Sequence, residues 1–376
     1  MEHGNAYQNK HKITTNNYFS MSKNIALIEL TTSHEECIYS QVKFLKDADY
    51  CITLVIHPKL RNQISSYELL IDHLEIYNFD SSNSFLKNIQ QFAKLYKFLV
   101  RENFKKVIFN TASSRKEIIL LTYLLSKKGV KCYGTIHNLK KLNHSFSQKL
   151  ISQNIKKYFV INDFLLDVIP TKDQTISFES YYPIFFPTHE IQKLKACKED
   201  LWICIPGELD YKRRDYDLLI DVAQNINDGR VKFIILGKAN KTKEEVIQFF
   251  TRIEELKLKE NFILFDSFIE NEKFHSFIAN SDYIMSPVDI KTDSYLKYKI
   301  TGAYNLAFSY RKPLLSHIKF KVISDLEENS IFYNDKADLE KIINDLLEDR
   351  LLKKSIYKNP KWDYTFQKDN YLKHIN

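Results

Sequence analysis

Short apolar runs and helix-period segments alternate along this chain, stop at one proline-flanked aromatic stretch, and then alternate again. The first series of runs comprises Ile25-Ala26-Leu27-Ile28-Glu29-Leu30, Cys51 to His57 (stopped by Pro58), Val107-Ile108-Phe109, Lys131 to Ile136 and Tyr158-Phe159-Val160-Ile161. Between them lie segments of helical period, from about Cys37 to Lys46, then 84–103, 115–127 and Ser145 to Ile155. In 84–103 the apolar positions Phe85, Ile89, Phe92, Leu95, Tyr96 and Leu99 fall on one face. Strands that are apolar throughout, with helices between them, predict parallel sheets covered on both faces. Tyr182-Pro183-Ile184-Phe185-Phe186-Pro187 and a charged stretch to Asp200 break the pattern. It restarts with runs at Leu201 to Ile205, Val231 to Leu236, Phe262 to Phe265, Tyr283 to Met285 and Pro313 to Leu315, and helices at 215–226, 243–256, 270–279, 301–310 and 337–347. The expected fold class is α/β, with two doubly wound parallel-sheet domains in tandem. The expected organisation is a floppy extension at 1–22, a first domain at 23–185, a linker at 186–200, a second domain at 201–355, and a C-terminal helix at 356–376 packing back on the first domain.

Composition narrows the class. The length of 376 residues accommodates about two domains. A hydrophobic fraction of 44% and a charged fraction of 27% are ordinary for a globular protein. No apolar stretch reaches the roughly 18 residues a membrane span requires, and residues 1–22 lack the apolar core of a secretion signal. Cys37, Cys51, Cys132, Cys197 and Cys204 are odd in number and widely spaced, which points to reduced thiols and a cytoplasmic protein without a zinc site. Residues 1–185 hold 24 Lys and Arg against 16 Asp and Glu, the whole of the net +8. Such a bias attracts an anionic surface, and a peripheral contact with an anionic membrane is one expectation. Nucleic acid is not expected, because no binding motif accompanies the charge.

The chain has only seven glycines, and three of them sit where a backbone must come close to something. Gly207 ends the 201–205 run and is followed by Lys212, Arg213 and Arg214, cations suited to a diphosphate. Gly237 and Lys238 repeat the arrangement after 231–236. Thr301 and Gly302 open a helix, where Thr301 is a candidate N-cap and Gly302 admits a phosphate to the first-turn amides. Lys297 and Lys299 add positive charge beside them. Each of these motifs alone also fits a solvated basic loop or a simply capped helix.

Taken in order, Gly207 through Leu219, Ile235-Leu236-Gly237, Phe265 to Ile269, Ser281 to Pro287 and Ala307 to Leu314 resemble the C-terminal domain of GT-B glycosyltransferases of the GT4-like group, over roughly residues 200–350. Residues 25–185 resemble that family in architecture. The resemblance implies two Rossmann-like doubly wound domains facing across a cleft, and a nucleotide-diphosphate sugar as co-substrate, with no cofactor and no metal. It implies that Gly207 approaches the diphosphate, that Arg213 or Arg214 neutralises it, and that Phe268 and Ile269 lie against the base. The helix at Thr301-Gly302 would then cap the phosphates. At the positions of the family's paired glutamates this chain has Tyr298 and Leu306, so Asn305 is the candidate for the ribose contact.

In the first domain, His137 follows the 131–136 run, and His34 and Glu35 follow the first run. In a parallel sheet all three face one crevice. Glu35 is a candidate base for an attacking hydroxyl if the reaction inverts the sugar. The resemblance implies a glycosyltransferase of surface polysaccharide synthesis, acting on a hydroxyl of a glycan or lipid-linked acceptor held by the first domain. The basic aromatic stretches Lys87 to Lys106 and Asn138 to Lys157 fit that docking, and equally fit core helices with lysine-rich outer faces. The alternatives are a nucleotide-sugar epimerase, and a non-catalytic subunit of the same fold that binds glycan or a partner enzyme.

Overall fold

The computed structural model describes residues 23–80, 82–113, 115–169, 175–288, 290–291, 293–351 and 357–376. The extension expected at 1–22 lies outside the described residues. Seven strands form the first sheet: β1 (Lys23–Glu29), β2 (Tyr50–Ile56), β3 (His73–Ile76), β4 (Lys106–Phe109), β5 (Lys131–Ile136), β6 (Lys157–Ile161) and β7 (Ser177–Tyr181). Six form the second: β8 (Leu201–Pro206), β9 (Val231–Lys238), β10 (Phe262–Phe265), β11 (Tyr283–Met285), β12 (Leu314–His317) and β13 (Ser330–Tyr333). Their orders are β3-β2-β1-β4-β5-β6-β7 and β10-β9-β8-β11-β12-β13, and the strand pairs within both are parallel. Both sheets are doubly wound. Their strand order reverses between β1 and β4 and between β8 and β11, where a crevice opens at the carboxyl ends of the strands.

Burial explains the apolar runs. Ile25 to Ile28 and Ile203 to Ile205 are at most 1% exposed, as central strands covered on both faces must be. The sequence reading passes over β3, β7 and β13. All three are sheet edges and carry polar residues, as in His73-Leu74-Glu75-Ile76, so no apolar run marks them.

The chain crosses back at its end. Trp362 is buried against Tyr182 and Phe308, and the Lys361 ammonium bonds the buried Asp325 carboxylate. The Tyr182 hydroxyl donates to the same carboxylate. Beyond this crossing, helix Tyr364–Ile375 lies on the first sheet. Tyr371 stacks on Phe159 with centroids 4.4 Å apart, and the Tyr133 hydroxyl donates to the Ile375 carbonyl at 2.7 Å. One apolar cluster contains residues of both halves, including Tyr182, Trp202, Phe308 and Trp362. The two sheets are therefore held by a shared core near the crossing, while the crevices at their carboxyl ends stay open to each other.

Candidate active site

The loop after β1 carries the first half of the site. Glu29, fully buried at the end of β1, accepts from Asn110 Nδ2 at 2.7 Å, Thr111 Oγ1 at 2.6 Å and the Thr31 amide at 2.7 Å. Asn110 Nδ2 also donates to the His34 carbonyl at 2.9 Å. That bond holds His34 in a left-handed conformation, φ 69°, which a non-glycine residue adopts only when its surroundings fix it. The network continues outward: Gln41 Nε2 donates to Asn110 Oδ1 at 2.6 Å, and the Tyr371 hydroxyl donates to Gln41 Oε1 at 2.8 Å. The C-terminal helix thus braces the loop that presents His34, Glu35 and Glu36.

The imidazoles of His34 and His137 stack with centroids 3.7 Å apart. His137 Nε2 lies 2.7 Å from the Asn110 carbonyl. A carbonyl only accepts, so Nε2 carries the proton and Nδ1 holds the lone pair. Burial, reinforced by the neighbouring His34, pushes the His137 pKa down to about 3, so this ring is neutral near pH 7. His34 is the opposite case. Burial opposes its charge, but the bond to Glu36 (3.5 Å) and the surrounding carboxylates outweigh burial and raise its pKa. Glu36 is held low by the same partner against the cost of burial. Glu35 makes no such bond among the described residues, and the charge of His34 acts on it more weakly than burial and Glu36 do. Burial, and then the charge of Glu36, raise its pKa to about 7. A carboxyl that titrates near neutrality, beside an ion pair and a neutral imidazole, is suited to take or give a proton.

The second half of the site lies at the β8–β11 reversal. Gly207 follows β8 with φ +116°, and its amide donates to the Leu236 carbonyl at 3.0 Å. A Cβ on Gly237 would come within 2.3 Å of the Gly207 carbonyl carbon, so the end of β9 packs directly under the Gly207 turn. Replacing Gly237 with Ala is expected to displace that turn and destabilise the protein by a few kcal/mol, read as a lowered midpoint in urea unfolding. The Arg214 guanidinium lies behind Gly207 and bonds the Pro206 carbonyl and, at 3.3 Å, the Tyr216 hydroxyl. Arg214 therefore braces the turn. Arg213 is mostly exposed beside Asp210, and Lys212 and Lys238 are exposed.

Thr301 stands at the N-cap position of helix Gly302–Ser309 but makes no side-chain cap bond. Its hydroxyl turns instead to Ser286 Oγ, 3.3 Å away in the loop after β11. A Cβ on Gly302 would meet nothing within 4 Å, so the missing side chain serves open space and not a backbone constraint. Lys299 holds its ammonium 4.3 Å from the Tyr295 ring centroid.

The two halves meet. The Leu139 amide, just after His137, donates to the Tyr298 carbonyl at 2.8 Å. A cavity of about 210 Å³ lies between them, and five of the sequence candidates line it: Glu35, Phe268, Ile269, Gly302 and Asn305. Asn305 is 4% exposed and its Oδ1 has no hydrogen-bond partner among the described residues. A buried amide oxygen without a donor costs about 1–3 kcal/mol, a cost relieved by a ligand bearing a hydroxyl or N–H. Replacing Asn305 with Leu is therefore expected to raise the thermal midpoint while weakening ligand binding. A lowered midpoint with binding unchanged would contradict that role.

A likeness to solved structures extends over nearly the whole chain. The structure of HepE from Anabaena, in complex with UDP and glucose, matches with a TM-score of 0.66 at 12% identity, over 93% of this chain and 98% of that one. The fold is GT-B. A glycosyltransferase from Rickettsia africae matches with a TM-score of 0.58 at 15% identity, over 94% of each chain. A UDP-GlcNAc 2-epimerase from Neisseria meningitidis, bound to UDP-GlcNAc, matches with 0.62 at 11% identity, over 93% of this chain and 99% of that one. No protein-family model matches the sequence, and no curated relative does.

Several residues of the GT-B cleft escaped the sequence reading. Tyr39, Gln63 and Tyr67 enter the cavity from the first domain, and His189, Phe274 and His275 from the other side. His189 and His275 stack at 4.4 Å, and His275 Nδ1 lies 2.8 Å from the Tyr310 hydroxyl. None of these stands at the end of an apolar run, the signal that marked the others. Glu29 did carry a signal, as a lone carboxylate closing an apolar strand.

Proposed function

We propose that this protein is a glycosyltransferase that moves a sugar from a nucleoside diphosphate to a hydroxyl of a glycan or lipid-linked acceptor in surface polysaccharide synthesis. One observation carries the reading. The cavity between the two strand-order reversals joins a carboxyl that titrates near pH 7 to a helix start bare of side chain and an amide oxygen awaiting a donor. In this reading Asn305 takes a ribose hydroxyl, Phe268 and Ile269 flank the base, and the Gly207 turn and the helix at Gly302 receive the diphosphate. The reaction inverts the sugar. Glu35, deprotonated, removes the proton of the acceptor hydroxyl while the acceptor oxygen bonds to the anomeric carbon. The bond from that carbon to the distal phosphate oxygen breaks, and its electron pair leaves with the nucleoside diphosphate. The neutral His137 and the His34–Glu36 pair hold the local charge fixed as this occurs. HepE, which binds UDP and glucose in the same fold, supports the substrate class.

A second reading, a nucleotide-sugar epimerase, is favoured by the adjacent carboxylates Glu35 and Glu36, which fit removal and return of a proton at a sugar carbon, and by epimerases sharing the fold. Proton NMR of the protein with UDP-GlcNAc alone separates the two. A transferase leaves the sugar intact until an acceptor is added, whereas a change of configuration at C2 without acceptor would overturn the transferase reading.

The first domain is also the proposed contact with an anionic membrane. Phe85 and Leu86 are 78% and 70% exposed at the start of helix Phe85–Arg101, beside Lys87 and within the domain that carries the positive excess. No described helix is long and apolar enough to cross a membrane. The protein is expected to float with phosphatidylglycerol vesicles at low salt and to be released at high salt. Absence from the vesicle fraction at low salt would contradict the contact.

A further inference from the structure

Lys141 is a cation that the reaction described above does not use. It lies in the short helix Lys140–His144, two residues beyond the Leu139 amide that bridges to the Tyr298 carbonyl. Its ammonium is turned back into the first domain, where it donates to Ser113 Oγ at 3.1 Å. Ser113 belongs to the loop after β4, the strand beside β5 and one border of the first strand-order reversal, and is 6% exposed. Desolvation lowers the Lys141 pKa, and no carboxylate contributes to raising it. The same ammonium depresses the charge of His137, so it lies beside the stacked imidazoles. A partly desolvated ammonium whose one bonded partner among the described residues is a hydroxyl retains donors for an anion. Lys43 with Asp47 and Lys195 with Asp282, by contrast, are met by a carboxylate.

We propose that Lys141 and Ser113 form the first domain's half of a phosphate site, gripping the distal phosphate of a nucleoside diphosphate whose proximal end is held by the second domain. This rests on the nucleotide-sugar reading, and it holds for transferase and epimerase alike, since both must hold the diphosphate of a nucleotide sugar. The arrangement also links ligand to domain closure. The backbone that carries Lys141 is hydrogen-bonded to Tyr298, which precedes Lys299, Thr301 and Gly302, so a distal phosphate would be held between cations of both domains.

Calorimetric titration with UDP, ADP and GDP, and with the corresponding monophosphates, tests the site on wild type, Lys141→Met and Lys141→Arg. With whichever base binds, Lys141→Met is expected to weaken diphosphate binding at least tenfold and monophosphate binding less than twofold. Lys141→Arg should keep most of the preference for the diphosphate. An unchanged diphosphate preference in Lys141→Met would overturn the inference and leave the nucleotide reading standing, and so would equal losses for both ligands. Wild type that binds none of these nucleotides would overturn both. Thermal melts of the two variants identify a folding defect, and if Lys141→Met does not fold, loss of the diphosphate preference in a folded Lys141→Arg or Ser113→Ala would support the site and its retention in both would overturn it.

Discussion

Glu35→Gln is expected to lower kcat by about 10²–10⁴-fold while leaving the protein folded. The carboxyl is held up to about pH 7 by burial and by Glu36, and as a base it acts in its deprotonated form. Wild-type kcat/KM should therefore rise with pH up to about 7 and level off above it, and the glutamine variant should lose that limb along with the rate. Stability moves in the other sense. A carboxyl whose folded pKa lies above its unfolded value near 4.5 contributes stability that is complete below the unfolded pKa. That contribution is lost as pH rises through about 7. Glutamine carries no charge to desolvate, so the variant should be at least as stable as wild type at pH 8. A variant with wild-type turnover, or one that keeps the rising limb, would remove Glu35 from the chemistry.

Gly302→Leu is expected to weaken nucleoside diphosphate binding by roughly 100-fold or more without lowering the thermal midpoint. The residue opens helix Gly302–Ser309 and lines the cavity, and, its own helix turn and chain neighbours aside, an added Cβ meets no atom of the described residues within 4 Å. The fold therefore has room for the side chain, and the ligand does not. Leucine is also the better helix former, by about 0.5–1 kcal/mol. Gly237 makes the contrast, because there a side chain collides with the Gly207 turn and damages the fold itself. Titration calorimetry and melting of Gly302→Leu together check the expectation. Undiminished binding would mean that the phosphates do not approach this helix.

How much of this was legible beforehand follows from what kind of signal each part leaves. The two doubly wound sheets were legible because central parallel strands must be apolar on both faces, as in Ile25 to Ile28 and Ile203 to Ile205. The edge strands β3 and β7 were not, since half-exposed residues such as His73 and Glu75 leave no such run. In the site, residues that end a strand were findable by position: His34, Glu35, His137 and Gly207 all follow β-strands. Their division of labour was not. Arg214 reads as a phosphate ligand in sequence, but only the fold shows its guanidinium bracing the Gly207 turn. Thr301 reads as a helix cap, but its hydroxyl is drawn to Ser286, fifteen residues earlier and adjacent only in space. The raised carboxyl of Glu35 and the stacked imidazoles likewise arise from long-range packing through Asn110, Gln41 and Tyr371, which no local pattern encodes.

The central claim is that the cavity between the domains binds a nucleoside diphosphate. Titration of the wild-type chain with UDP, ADP and GDP tests it most directly. The account predicts that one of them binds at a single site per chain with a dissociation constant of roughly 1 μM to 1 mM, the range of ordinary enzyme–substrate affinities. Heat changes no different from dilution for all three, at millimolar ligand, would contradict it.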